Sequence, residues 1–362
     1  MDTAAPAEQQ FLTNHDIIKT AYQNLGADAW NYICGAAESE TTMRRNRMSL
    51  DCLAFRPKVL VDVGDVDIST TFLGYKLEIP VMMAPMGGIQ NYAEGGALVP
   101  DDACEECGSI NFVSTVTQPD LEVTAANSPH AKVFQLYIRG DEEWIRSMVR
   151  RACDAGYVAL ALTVDSAYYG NRERLSREQL ADRRPPEREF QKRLTWDSVK
   201  MIQDELAGRP LIIKGIMRPE DAARAVDLGV ECIYISNHGG RQLDHVQGSI
   251  DMLPSIVEAV DGKAEIIIDG GFTRGTDVIK AVALGARAVL IGKLQAWALG
   301  AGGLPALLRS LDILAWEIET ALGLLGVTKL DELDPSFVAQ GLPAMLPHEM
   351  SAFPHLPDGR IA

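Results

Sequence analysis

The chain has 362 residues, 47% of them hydrophobic and 23% charged, with a formal net charge of −16. That balance predicts a soluble globule with a large core, and so acidic a surface excludes nucleic acid and anionic lipid as partners; an anionic substrate must be met by local positive charge. Six scattered cysteines form no disulfide framework, and Met1 to Gln10 lacks the basic flank and apolar core of a secretory signal, so a cytoplasmic protein is expected.

No uncharged apolar run reaches 18 residues, so no membrane span is expected. From the amino terminus, residues 14–53 carry helical spacing with short breaks. Asn14 can cap a helix beginning at His15, and the polar run Arg44, Asn46, Arg47 reads as surface or lid. Tyr32 lies in an aromatic cluster that ends at Gly35. Pro57, Gly64, Gly74 and several β-branched residues then predict an irregular connection with a short hairpin over 54–78.

From residue 79 a rhythm sets in. Apolar strand candidates begin near Ile79, Ser109, Lys132, Val158, Pro210, Cys232, Glu265 and Ala288, with helical spacing between them, as over 141–155, 218–228 and 273–284. Eight such strands alternating with helices predict a parallel (β/α)8 TIM barrel, with a doubly wound open sheet as the alternative. The expected organisation is a single domain over 1–362. It has an N-terminal helical extension and hairpin (1–78), the barrel (79–325) and a short C-terminal tail (326–362). Cys104-x-x-Cys107 falls in a predicted helix with no second pair and no nearby histidine, so no metal is expected. The mixed-charge run 173–194 reads as a lid or a plain surface loop. The tail from Asp331, with its five prolines, reads as extended along a neighbour or partly disordered.

A barrel places function at the carboxyl ends of its strands. There stand Pro85, Met86 and Gly87; Ser114; Gln135 and Tyr137; Thr163 and Asp165; and Lys214. The later strands contribute Ser236 through Arg241, then Asp269, Gly270 and Gly271, and finally Gly292 with Lys293. Any one of these could be ordinary loop entry, and a lone histidine is more often a hydrogen-bonded loop residue. Together they carry more weight. His238 can change protonation near neutral pH, Arg241 offers a planar fork for a carboxylate, and Gly239 with Gly240 lets backbone approach a ligand. A base beside a carboxylate anchor points to chemistry on an organic acid. The glycines of the last two loops expose backbone N–H groups at helix starts, which suits a phosphate-bearing cofactor.

Ser-Asn-His-Gly-Gly-Arg-Gln-Leu-Asp (236–244), Phe-Gln-Leu-Tyr (134–137), Leu-Thr-Val-Asp (162–165), Lys-Gly (214–215) and Asp-Gly-Gly (269–271) resemble the FMN-dependent L-α-hydroxy acid oxidases and dehydrogenases. That family includes glycolate oxidase, lactate oxidase and mandelate dehydrogenase, and the similarity runs from about Ala21 to Leu333. The resemblance implies FMN as cofactor and oxidation of an L-2-hydroxy acid to the 2-oxo acid, with oxygen or another acceptor reoxidising the flavin. It implies His238 as the base, Asp165 as its partner, Arg241 and Arg172 on the substrate carboxylate, and Tyr32 and Tyr137 as substrate hydrogen-bonders. Lys214 is implied beside the flavin ring. Pro85, Met86, Gly87, Ser114, Gln135, Thr163 and Ser236 are implied as flavin-site residues, and Asp269, Gly270 and Gly271 at the ribityl and phosphate end. The family usually carries arginines where this chain has Thr273 and Lys293; Arg274 is adjacent, and these three with Gly292 are the expected phosphate set. Val116 replaces a common aromatic and should widen the substrate pocket, favouring a bulkier acid than glycolate. Family members are often homotetramers or homo-octamers. Two other readings are a non-redox FMN barrel such as type 2 isopentenyl diphosphate isomerase, and a catalytically lapsed flavin-binding protein.

Overall fold

The computed structural model describes residues 11–175, 188–343, 348 and 350–353. Its strands are β1 (Leu53–Phe55), β2 (Thr70–Phe72), β3 (Tyr75–Leu77), β4 (Val81–Met83), β5 (Asn111–Ser114) and β6 (Lys132–Leu136), followed by β7 (Ala159–Thr163), β8 (Leu211–Ile216), β9 (Cys232–Ile235), β10 (Glu265–Ile268), β11 (Ala288–Ile291) and β12 (Val338–Gln340). β4 to β11 close into one parallel barrel, β11 pairing back onto β4 through Val289↔Val81, Leu290↔Met82 and Ile291↔Met83. An open doubly wound sheet is thereby excluded.

These strands read as continuous apolar runs because both faces are covered. Alternate residues sort into two cores: Met82, Phe112, Ala161, Ile212, Tyr234, Ile267 and Leu290 fill the barrel, while Val81, Val113, Leu160, Ile213, Ile233, Ile268 and Val289 pack outward under the helices. The β2–β3 hairpin adds Phe72 and Leu77 to the inner core, and the Leu73 N–H donates to Glu265 at the start of β10. The hairpin thus stoppers the amino-terminal mouth and leaves the carboxyl-terminal mouth to the site.

Two expectations about the extension need correction. The cap of the Asn14–Asn24 helix is Thr13, in a reciprocal box with Asp16, whereas Asn14 is buried and accepts from the Ser310 hydroxyl. Asn46 and Arg47, read as surface or lid, are buried: the Thr41–Asp51 helix turns them inward onto the loops after β9 and β10. The described tail packs on its own chain rather than a neighbour: 3-10 turns at Leu330–Glu332 and Pro335–Phe337 lead into β12, which pairs antiparallel with β1. Most of the predicted lid lies in 176–187, outside the described residues.

The helix Lys293–Leu325 is long and apolar enough to cross a membrane by length and composition. It is broken at Gly302 and Gly303, where ψ and φ leave the helical range, and packs along the Asn14–Asn24 helix and against the Leu98–Cys107 and Gly275–Ala283 helices. Half of its apolar stretch is buried against protein, while Trp316 and Leu324 are exposed.

Candidate active site

The chemistry gathers where β7, β8 and β9 end. His238 and Gly239 both adopt left-handed backbone (φ 57° and 64°), an arrangement uncommon for a residue with a side chain and kept where surrounding structure enforces it. It turns the imidazole so that Nδ1 lies 2.9 Å from Asp165 Oδ1 and Nε2 lies 3.2 Å from the Tyr137 hydroxyl. A carboxylate only accepts, so Nδ1 carries the hydrogen and Nε2 presents its lone pair to the cavity. Burial pushes the His238 pKa below its ordinary value, with Asp165 pulling the other way; Asp165 itself is held below the usual carboxylate range by His238 despite its burial. Gly215 makes this packing possible. At φ 109°, a Cβ there would lie 2.7 Å from that of Asp165.

Arg241 stands three residues on. Its Nη1 donates to the carbonyls of Tyr32 (2.6 Å) and Gly35 (3.0 Å), and its guanidinium lies 4.8 Å from the Tyr32 ring centre. Nε and Nη2 donate to no group among the described residues, which leaves one edge of the fork for a carboxylate. Arg172 donates to the Arg241 carbonyl and, at 2.7 Å, to Tyr169 Oη; burial and then Arg241 push its pKa down to about 10. Tyr32 Oη donates to the Gly87 carbonyl at 3.3 Å.

One cavity of about 320 Å³ runs from this group across the barrel mouth. Tyr32, Tyr137, Arg172, His238 and Arg241 line one end; Pro85, Met86, Gly87 and Lys214 line the middle; Asp269, Gly270, Gly271, Thr273 and Gly292 line the other. Lys293 also lines the cavity, but its Nζ donates to the Cys34 carbonyl, between the Ile33 and Gly35 carbonyls that accept from Arg241. Behind the middle, Ser114, Gln135 and Thr163 form one buried row, Ser114 Oγ donating to Gln135 Oε1 (2.7 Å) and Gln135 Nε2 to Thr163 Oγ1 (2.8 Å). Lys214 Nζ donates to Ser236 Oγ at 2.7 Å and lies 3.4 Å from Asp269 Oδ2. Asp269 Oδ1 is buried with no partner, an acceptor waiting for a donor in the cavity.

Arg274, expected with the phosphate set, is not brought there. It precedes the Gly275–Ala283 helix and turns away to pair with Glu317 at 2.6 Å. Arg47 lines that end instead, clamped by Asp277 through two bonds of 2.7 Å. Sequence reading missed Arg47 and Asn46, and also Ser166 and Tyr169. The available signal was Thr42, Asn46 and Ser49, a polar stripe at helical spacing opposite Arg44 and Met48. Val116, expected to widen the pocket, packs against Gly87: a Cβ on Gly87 would lie 2.6 Å from its Cγ2, so the two residues are fitted to each other.

The fold and site define a class: barrel enzymes that hold a phosphorylated cofactor across the strand ends, against a histidine–carboxylate pair and an arginine. The family model described as FMN-dependent dehydrogenase matches residues 21–188 and 179–340. An L-lactate oxidase of Nostoc sp. is 38% identical over 348 residues, covering 88% of this chain and 95% of that protein, and glycolate oxidase 3 of Arabidopsis thaliana is 32% identical over 92% and 97%. Among solved structures, mandelate oxidase with 3,3-difluoro-2-hydroxy-3-phenylpropionic acid superposes with a TM-score of 0.85 at 34% identity, over 91% of this chain and all of that one. The chain belongs to the FMN-dependent dehydrogenase family, and is an FMN-dependent enzyme of 2-hydroxy acid oxidation. The residues present fit FMN. Asp269 offers its unpartnered oxygen, and Gly270 and Gly271, at φ 110° and 90°, let the backbone line the cavity while packing against protein behind it, where a Cβ would lie 2.3 Å from Ser249 Oγ or 3.3 Å from Asn46 Cβ.

Proposed function

We propose that this enzyme oxidises a bulky L-2-hydroxy acid to the 2-oxo acid with oxygen as acceptor, one substrate and one O2 giving one 2-oxo acid and one H2O2. The observation that carries the reading is the His238 Nε2 lone pair, fixed by Asp165 beside Tyr137 and in the same cavity as the open edge of Arg241. Arg241, with Arg172 beside it, grips the substrate carboxylate and so presents the α-carbon to the base. His238 Nε2 takes the proton, and Asp165 stabilises the imidazolium that results. Tyr137 and Tyr32 orient the hydroxyl and carboxylate, and Lys214 places positive charge beside the ring. When bound, FMN supplies the acceptor for the electron pair. Gly87 and Val116, where the pocket needs no aromatic wall, support a substrate larger than glycolate.

Mixing the enzyme anaerobically with L-lactate, glycolate and L-mandelate tests this. The flavin band should bleach fastest with L-mandelate and return, with peroxide, on admitting air. A band untouched by every acid overturns the reading; bleaching that air does not reverse overturns oxygen as acceptor.

The reading includes a cytoplasmic homotetramer or homo-octamer. Six unpaired thiols support the reducing compartment, and Trp316 and Leu324 on the last helix with Leu342 in the tail are exposed enough to meet another copy. Light scattering on the purified protein decides the second point; a monomer at micromolar concentration would sink it.

A further inference from the structure

The ladder between two barrel strands stops short at the cavity. β6 and β7 pair in register from Val133↔Ala159 to Leu136↔Leu162, and in a parallel ladder of that register the next rung would join the Ile138 N–H to the Thr163 carbonyl. It does not form. The buried carboxamide of Gln191 is inserted there: the Ile138 N–H donates to its Oε1 at 2.6 Å, and its Nε2 donates to the Thr163 carbonyl at 2.8 Å. A carboxamide carries an acceptor and a donor on one planar head, so it satisfies both backbone groups while holding the strand ends apart. Gln191 ends the short helix Arg188–Gln191 and lines the cavity with Tyr137 and Ile138. In a run read from sequence as a lid or a plain surface loop, it is a residue turned inward.

We infer that Gln191 is a positioning residue for the oxidation, a wedge in the barrel mouth that sets Tyr137 against His238 without itself touching the reacting atoms. The Tyr137 N–H donates to Thr115 Oγ1 at 3.1 Å, and the next N–H along the chain is the one that Gln191 accepts. The peptides on both sides of Tyr137 are thus tied, and its hydroxyl stands 3.2 Å from His238 Nε2. On the other strand, the anchored Thr163 carbonyl lies two residues before Asp165, the partner of His238 Nδ1. One side chain therefore fixes the stems of both groups that flank the imidazole. Small displacements of such groups slow a reaction far more than they weaken a fold. The inference rests on the reading of His238 as the base and Tyr137 as the group that orients the substrate hydroxyl.

The test measures the limiting rate of flavin reduction by anaerobic rapid mixing of the full-length holoenzyme with whichever of L-lactate, glycolate and L-mandelate reduces it fastest. Wild type, Gln191→Ala, Tyr137→Phe and the double variant are compared. Gln191→Ala should keep FMN and reduce it roughly tenfold more slowly. In the Tyr137→Phe background the same change should cost about twofold at most, because the hydroxyl it positions is gone. A full loss in both backgrounds makes Gln191 mere scaffolding and overturns the proposal, as does a Gln191→Ala rate equal to the wild type. Gln191→Glu gives a second reading within one protein. Its neutral carboxyl reproduces the acceptor and donor of the carboxamide, its carboxylate lacks the donor, and burial raises its pKa above the ordinary value of about 4.3. Its rate relative to wild type should therefore climb towards one as pH falls from about 9 to about 5.5; a flat ratio overturns the proposal, and this comparison decides if Gln191→Ala fails to fold. A His238→Gln enzyme reduced as fast as the wild type overturns the reading of the site, and the proposal falls with it. A slow His238→Gln beside an unaffected Gln191→Ala overturns the proposal alone.

Discussion

At the scale of single residues, the working unit is the imidazole whose two nitrogens have different partners. His238→Gln should keep FMN and lose flavin reduction by on the order of 10²- to 10⁴-fold, the span of general base catalysis; rapid-mixing absorbance with excess substrate measures it. The base works unprotonated and its pKa lies below the ordinary histidine value, so kcat/KM should stay level as pH falls to about 6.5 and drop only below that. Asp165 is the influence raising that pKa, so Asp165→Asn should carry the acid limb to still lower pH while slowing the reaction at its plateau. An acid limb that moves upward would contradict the pairing. Gly87 and Val116 offer a second residue-scale test. Gly87→Ala should cost about 1 to 3 kcal/mol through overpacking, read as a shift in urea midpoint, and much of the loss should vanish in a Val116→Ala background.

At the scale of elements, the amino-terminal end of the barrel carries its own buried polar cluster. Asp101 accepts from Ser128 Oγ at 3.0 Å and lies 3.5 Å from Lys132 Nζ, while His130 Nε2 is buried without a hydrogen bond, 3.7 Å from Asp101 Oδ1. Burial, with Lys132 beside it, pushes the His130 pKa down to about 4. The unfolded chain therefore takes up a proton near pH 6.5 that the folded chain refuses until about 4, so stability is complete above 6.5 and is lost as pH falls between those values. By pH 5 the loss should be on the order of 2 kcal/mol relative to His130→Gln in paired urea titrations, and parallel profiles would refute it. Elements were the most legible part of the chain. All eight barrel strands start within two residues of the expected places, because a strand buried on both faces writes itself as an apolar run. The Thr13 cap was harder, since Thr13 and Asn14 are both cap residues and only the reciprocal bond with Asp16 separates them. Arg47 and Asn46, signalled only by the polar stripe Thr42, Asn46 and Ser49, were hard to place for another reason. Their polarity faces protein, and a polar residue satisfied by distant loops looks the same in sequence as one satisfied by water. Arg274 was misplaced because adjacency in sequence says nothing of which way a side chain turns at a helix start.

At the scale of the whole molecule, the cavity is built from segments remote in sequence. Arg47, Thr273, Lys293 and Met350 all line it, and Met350 with Phe353 belongs to the same outer core as the first helix. Such a site exists only when the extension, the last two barrel loops and the tail have all come together. FMN should therefore bind the native state alone and stabilise it by about 2.7 kcal/mol at a hundredfold excess over Kd. Flavin fluorescence and far-ultraviolet circular dichroism should then report one coincident thermal transition, whereas flavin escaping well before the helices melt would show that the cavity opens by itself.

The antiparallel pair of β1 with β12 has a mechanical meaning. It joins residues 53–55 to 338–340, so the entire barrel lies within one loop whose ends are stitched together, and the barrel ring has no free edge. A chain nicked once in a surface loop between those strands would be two polypeptides only in denaturant. Under native conditions the fragments should migrate together and stay yellow.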